Sequence, residues 1–207
     1  MTMQMHLWAA ALGLCCGAVA ATICVRVARR YGLAPVRASD VALTVLVSSV
    51  AGWFGENFPA HGAPALAVLS AVVCAAGLCD LRNGHVFDAL TIPAAGVLCA
   101  IAMAEGALGC GVAGAIATAS PIVIARGLRR DAFGLGDAKL ALCVGAFGGW
   151  AFGLAAFWIA CLLAGCAGLF LIGLGRANRK GRIPFAPFFC AGTFVALLWG
   201  LPGALLL

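Results

Sequence analysis

The chain has 207 residues, 64% of them hydrophobic and 10% charged, with a formal net charge of +6 and a mean hydropathy of +1.10. Soluble domains are about 45–50% apolar, so this composition excludes one and indicates a polytopic membrane protein. A hydrocarbon core about 30 Å thick takes about 20 residues per helix, which holds the chain to about eight spans and leaves no room for a separate soluble domain.

The opening segment, MTMQMHLWAAALGLCCGAVAATICVRVARR, carries no Lys or Arg ahead of its apolar run and a basic cluster behind it. A secretory signal has the opposite arrangement, so the segment reads as a first transmembrane helix. Apolar runs between polar or Gly/Pro breaks predict spans near 5–25, 41–55, 63–80, 86–104, 107–125, 137–150, 152–174 and 184–204. Residues 140–175 form one apolar stretch of 36 residues, about 54 Å as a helix and too long for one crossing. A division at Gly148-Gly149-Trp150 is expected, since glycines permit a turn and Trp suits the membrane interface.

Charge tests this topology independently. With the N-terminus outside, the inner loops are 26–40, 81–85, 126–139 and 175–183, and they contain all 13 Lys and Arg residues. The outer loops carry only the acids Glu56 and Glu105. The positive-inside rule therefore supports an even number of spans with both termini outside. The expected fold is an all-α bundle of about eight transmembrane helices, six to eight, forming a single integral-membrane domain. The net positive charge reflects topology and attraction to lipid headgroups of the inner leaflet, with no nucleic-acid partner. Eleven cysteines without a C-x-x-C pair or a Cys/His cluster indicate small packing residues, with no zinc site and no redox motif.

Five acids fall on the inner side: Asp40, Asp80, Asp88, Asp131 and Asp137. Asp40 and Asp131 lie beside Arg37 and Arg129-Arg130 and read as solvated loop charges. Asp80 ends the apolar run 63-APALAVLSAVVCAAGLCD-80, and Asp137 opens the run after the turn Gly134-Leu135-Gly136, so both are expected at the same depth. Singly, each has a structural reading: Asp80 paired with Arg82, Asp137 capping its helix. As a pair on separate hairpins they can converge and share a proton and a water. No Ser has a nearby His or Lys in sequence, and His85 reads as a loop residue.

At this point the residues resemble a known family. The segment 134-GLGDAK-139 is similar to the G-x-G-D-x-K signature of the type IV prepilin peptidases, bacterial GxGD membrane aspartyl proteases. Three further stretches follow the family pattern in order: 80-DLRNGHVFDALTIP-93, 145-GAFGGW-150, and 183-IPFAPFFCAG-192 with 197-LLWG-200. Together they cover residues 63–201. The resemblance implies that Asp80 and Asp137 are the catalytic pair, with Gly134, Gly136, Lys139 and Asp88 supporting the site or the substrate. Phe87 stands where the family has Pro, and Ala186 where it has Gly. Bifunctional members carry an insert with paired C-x-x-C motifs, and none fits here. The resemblance therefore implies the short, peptidase-only branch associated with Flp-type tight-adherence pili.

The implied reaction is removal of a short basic leader from a prepilin or pseudopilin at the cytoplasmic face of the bacterial inner membrane, without N-methylation and without cofactor or metal. Pilus or secretion assembly components are the further partners it suggests. The glycines before Asp137 are expected to let backbones approach closely and to take positive φ. Two other readings remain at this point: a proton-coupled transporter or channel, which also uses membrane carboxylates, and a non-catalytic subunit of a pilus or secretion assembly.

Overall fold

The computed structural model describes residues 3–54, 62–129, 133–175 and 183–199. Among them all regular structure is helical: α1 (Met3–Arg30), α2 (Ala38–Phe54), α3 (Gly62–Asn83), α4 (Asp88–Ala104), α5 (Leu108–Leu128), α6 (Leu135–Gly173) and α7 (Ala186–Leu198). Helices α1, α3, α5 and α6 are long and apolar enough to cross a membrane, and α2, α4 and α7 are shorter apolar helices. The protein is a polytopic all-helical membrane protein. Glu56, His61, Arg130, Asp131, the 176–182 basic cluster and the end of the last predicted span lie outside the described residues.

Helix α6 contains a reversal. Gly149 has φ 75° and ψ −176°, a conformation essentially confined to glycine. Residues 133 and 157 would be about 36 Å apart along a straight helix, yet the Phe133 and Phe157 ring centroids are 6.3 Å apart. The chain thus doubles back into two arms, 135–148 and 150–173, as the Gly148-Gly149-Trp150 turn predicts. Phe147 and Phe152 pack edge-on across the turn, with centroids 5.7 Å apart. Trp150 beside it is exposed, as suits an interfacial aromatic.

Helix α3 is the axis of the bundle. It is buried from Ala65 to Asp80 with few interruptions and packs against α1, α2, α4, α6 and α7. Its Ala, Gly, Val, Cys and Ser side chains permit the close helix approach that drives association in lipid. The outer surface is apolar instead, with Leu162, Leu169 and Phe170 of α6 exposed, as expected of residues facing hydrocarbon.

The α1–α2 hairpin grips the end of α3. The backbone N–H of Ala34 donates to Asn83 Oδ1 at 3.0 Å, and Arg82 reaches Asp40 on α2 with Nη2 to Oδ1 at 2.7 Å. Two expectations change here. Asp40 is not a solvated loop charge, because it is 6% exposed. Arg82 does not neutralise Asp80, because residues two apart on a helix point to different sides, and its guanidinium turns toward α2.

Candidate active site

Asp80 stands in the last turns of α3, where Gly84, at φ 64°, ends the helix by donating its N–H to Asp80 O at 2.8 Å. A left-handed glycine is a common helix stop. Asp137 is the third residue of α6, and its Oδ2 accepts the N–H of Gly134, the N-cap, at 3.1 Å. That is the carboxylate half of a capping box. Both side chains are nearly buried, with Asp80 7% and Asp137 8% exposed.

The two carboxylates line one cavity of about 650 Å³ and are close enough for their charges to interact. The rest of the wall comes from Leu81 of α3, Arg126 of α5 and three junctions at the same end of the bundle: Gly84, His85 and Val86 after α3, Phe133 to Gly136 at the start of α6, and Ile183 to Phe185 before α7. Phe133 and Phe185 meet edge-on, centroids 5.0 Å apart. Among the described residues, those lining the cavity include no Ser, Thr, Cys or Lys. Their proton-transfer groups are Asp80, Asp137 and His85.

Helix α7 contributes directly to the site. The N–H of Ala186, the first residue of α7, donates to Asp80 Oδ2 at 3.0 Å across 106 residues of sequence. Asp80 lies at the C-terminal end of its own helix but faces the N-terminal end of another. Each carboxylate therefore faces a helix N-terminus, whose free N–H groups favour negative charge.

The glycines serve differently from the sequence expectation. Neither Gly134 nor Gly136 is among the positive-φ residues. A Cβ on Gly136 would stand 2.7 Å from Val86 Cβ, and one on Gly134 would stand 3.2 Å from Asp137 Oδ2. Gly136 thus makes room for the α3–α4 connection, and Gly134 for the Asp137 carboxylate. Lys139 and Asp88 form an ion pair at 2.6 Å and are not among the residues lining the cavity.

Two lining residues were read otherwise from the sequence. Arg126, taken as a topology determinant, lines the cavity and donates from Nη1 to Phe133 O at 2.7 Å, fixing the loop ahead of Asp137. His85, taken as a plain loop residue, lies at the cavity with Nδ1 2.8 Å from Asn83 O, a contact that only Nδ1–H can make as a hydrogen bond. Its position five residues after Asp80 was the available signal. Among the described residues no three His, Cys, Asp or Glu are grouped so as to hold a metal ion.

Comparison with known proteins bears on this geometry. The family model described as type IV leader peptidase family matches residues 67–169, from α3 to the second arm of α6, which includes Asp80 and Asp137. A prepilin leader peptidase/N-methyltransferase of Burkholderia pseudomallei is 30% identical over 177 residues, covering 81% of this chain and 56% of that protein. Proteins of the same name from Stutzerimonas stutzeri and Aeromonas salmonicida are 26% and 27% identical over 200 residues, 93% of this chain and 65% and 64% of theirs. The chain thus spans between 56% and 65% of the length of these relatives. No solved structure matches. On these matches the chain belongs to the type IV leader peptidase family.

Proposed function

We propose that this protein is a prepilin leader peptidase that removes the short basic leader of a Flp-type prepilin or pseudopilin, with Asp80 and Asp137 as its acid–base pair. The observation that carries the reading is the meeting of these two buried carboxylates in one cavity whose described wall holds no Ser, Thr, Cys or Lys. A cavity of this kind also supplies what an extended substrate backbone needs at membrane depth, because non-helical chain is tolerated there only where protein or water lines its path.

In the proposed reaction the two carboxylates share one proton. The ionised member removes a proton from water as that water attacks the scissile carbonyl carbon, while the protonated member donates to the carbonyl oxygen. Collapse of the tetrahedral intermediate returns that hydroxyl proton to the second carboxylate as the C–N bond breaks, and the departing amine takes up a proton from the first. The apolar wall of Leu81, Val86, Phe133, Ile183 and Phe185 would hold the apolar start of the mature helix. The basic ends of α1, α3 and α5 lie at the same end as the site, which supports a cytoplasmic position in the inner membrane under the positive-inside rule.

Cleavage without methylation is part of the proposal. The relatives are named for both activities, but this sequence contains no C-x-x-C pair, the motif that marks the bifunctional pattern. Co-expression with a candidate prepilin tests the whole reading. Wild type is expected to shorten the precursor and leave its new N-terminus unmethylated by mass spectrometry. Asp80→Asn and Asp137→Asn are each expected to lower processing at least about a hundredfold, the scale of general acid–base catalysis. Processing that persists in either variant would sink the dyad.

A further inference from the structure

A two-point ion pair lies outside the cavity, at the end of the helix that carries Asp80. Asp40 and Arg82 meet two-on-two: Nη2 donates to Oδ1 at 2.7 Å, and Nε lies 2.5 Å from Oδ2. The same Oδ2 accepts the backbone N–H of Arg37 at 3.0 Å. Asp40 therefore uses both oxygens, and Arg82 engages two of its three nitrogens. The pair is largely withdrawn from water, with side-chain exposures of 24% and 8% for Arg82 and Asp40. An isolated charge in such a place is costly.

Its position relative to Asp80 is the informative part. Arg82 is two residues beyond Asp80, in the turn that ends at Gly84. It is followed by Asn83, which holds Ala34 of the α1–α2 connection. Asp40 and Asp137 also share one local device, since each is the third residue of its helix and accepts the N–H of the residue before that helix. They differ in the cation. Asp40 has an arginine fork, whereas the lysine two residues after Asp137, Lys139, pairs with Asp88.

We propose that Asp40 is a positioning residue for the reaction, holding the guanidinium of Arg82 neutralised and turned to α2 so that Asp80 and Asp137 are left to share a proton. A pair of neighbouring carboxylates shares a proton because their mutual repulsion disfavours double ionisation, and added positive charge nearby weakens that effect. An uncompensated guanidinium on the same helix turn would favour the doubly ionised pair. This inference rests on the reading of Asp80 and Asp137 as the acid–base pair. The other groups facing them are His85 and Arg126 at the cavity, Cys79 beside Asp80, and the Lys139–Asp88 pair outside it. Those facing Asp40 are Arg37, Arg82, Cys24 and Cys79. All of these except Arg82 itself stay constant in the comparison below.

The test replaces one charge at a time and reads pH dependence. Purified wild type, Asp40→Asn, Arg82→Gln and the double variant are assayed for cleavage of a synthetic precursor with a basic leader. In parallel, the pH dependence of carbodiimide labelling of Asp80 and Asp137 is followed by mass spectrometry, which needs no substrate. Asp40→Asn leaves Arg82 unbalanced, so activity and labelling should fall at lower pH than in wild type. Arg82→Gln leaves Asp40 unbalanced, so both should persist to higher pH. The double variant should return close to wild type. Each shift is expected to be about half a pH unit, the scale of one added charge acting through partly screened surroundings.

A merely structural role would lower yield or melting temperature in both single variants without moving the profiles in opposite directions. Coincident profiles, or shifts of one sign, overturn the proposal. If Asp40→Asn does not fold, a wild-type labelling profile in Arg82→Gln overturns it alone. Activity retained by Asp80→Asn would instead remove the dyad reading, and the two failures are distinguishable.

Discussion

At the scale of single residues, the site depends on who partners each charge. Four of the inner-side carboxylates are described. Asp40 has Arg82, Asp88 has Lys139, and Asp80 and Asp137 accept backbone N–H groups, from Ala186 and Gly134. Of these four, the two outside the Arg82 and Lys139 ion pairs are the two that line the cavity. Gly136 controls how closely the Val86 connection can approach them. A methyl there would stand 2.7 Å from Val86 Cβ and 3.2 Å from its carbonyl oxygen, so Gly136→Ala must displace the segment that carries His85. We expect folded protein with kcat lowered about tenfold to a hundredfold, as misplacement of a reacting group by about 1 Å costs. Steady-state kinetics on the purified variant checks this, and unchanged kcat would show that the α3–α4 connection does not position the site.

At the scale of elements, the hairpin inside α6 deserves its own test, because it sets where Asp137 sits. The first arm covers residues 135–148, about 21 Å at 1.5 Å per residue, so Asp137 at one end and Gly149 at the other enclose a short helix braced by the second arm. Two glycines of α6 separate conformation from packing. A Cβ on Gly149 or on Gly165 would meet nothing within 4 Å, but only Gly149 has positive φ. Gly149→Ala is therefore expected to cost about 1–3 kcal/mol through backbone strain alone. Gly165→Ala in the second arm should be neutral or stabilising by up to about 1 kcal/mol, since alanine is the better helix former. Thermal unfolding of both in the same detergent gives the comparison, and equal melting temperatures would contradict the strained turn.

At the scale of the whole molecule, the arrangement is one of ends. The connections 31–37, 84–87 and the segment before α6, together with the start of α7, come together, held by Ala34 to Asn83, Arg82 to Asp40, Arg126 to Phe133 and Ala186 to Asp80. The described Lys and Arg residues are gathered near this end, while Glu105 follows α4 at the opposite end. An alkaline phosphatase fusion after residue 106 is expected to be active and one after residue 84 inactive, with the reverse for a fluorescent protein that folds only in the cytoplasm. Phosphatase activity at residue 84 would place the cavity on the outer face and remove a cytoplasmic leader as its substrate.

The sequence by itself determined the helical class, the position of the spans, the turn at Gly149 and the two carboxylates of interest. These depend on properties that each residue carries alone: hydropathy summed over a window, a charge that lipid refuses, a glycine that accepts a rare φ. Tertiary structure alone decided the partners. Asp40 read as a solvated loop charge because its own neighbours are polar, whereas its arginine comes from 42 residues away. Gly134 and Gly136 read as turn glycines, whereas their function is set by Asp137 and Val86 standing against them. The N–H that reaches Asp80 arrives from α7, 106 residues on. Such contacts are fixed by which helices lie side by side, and packing between apolar helices of similar composition leaves no local mark in the chain.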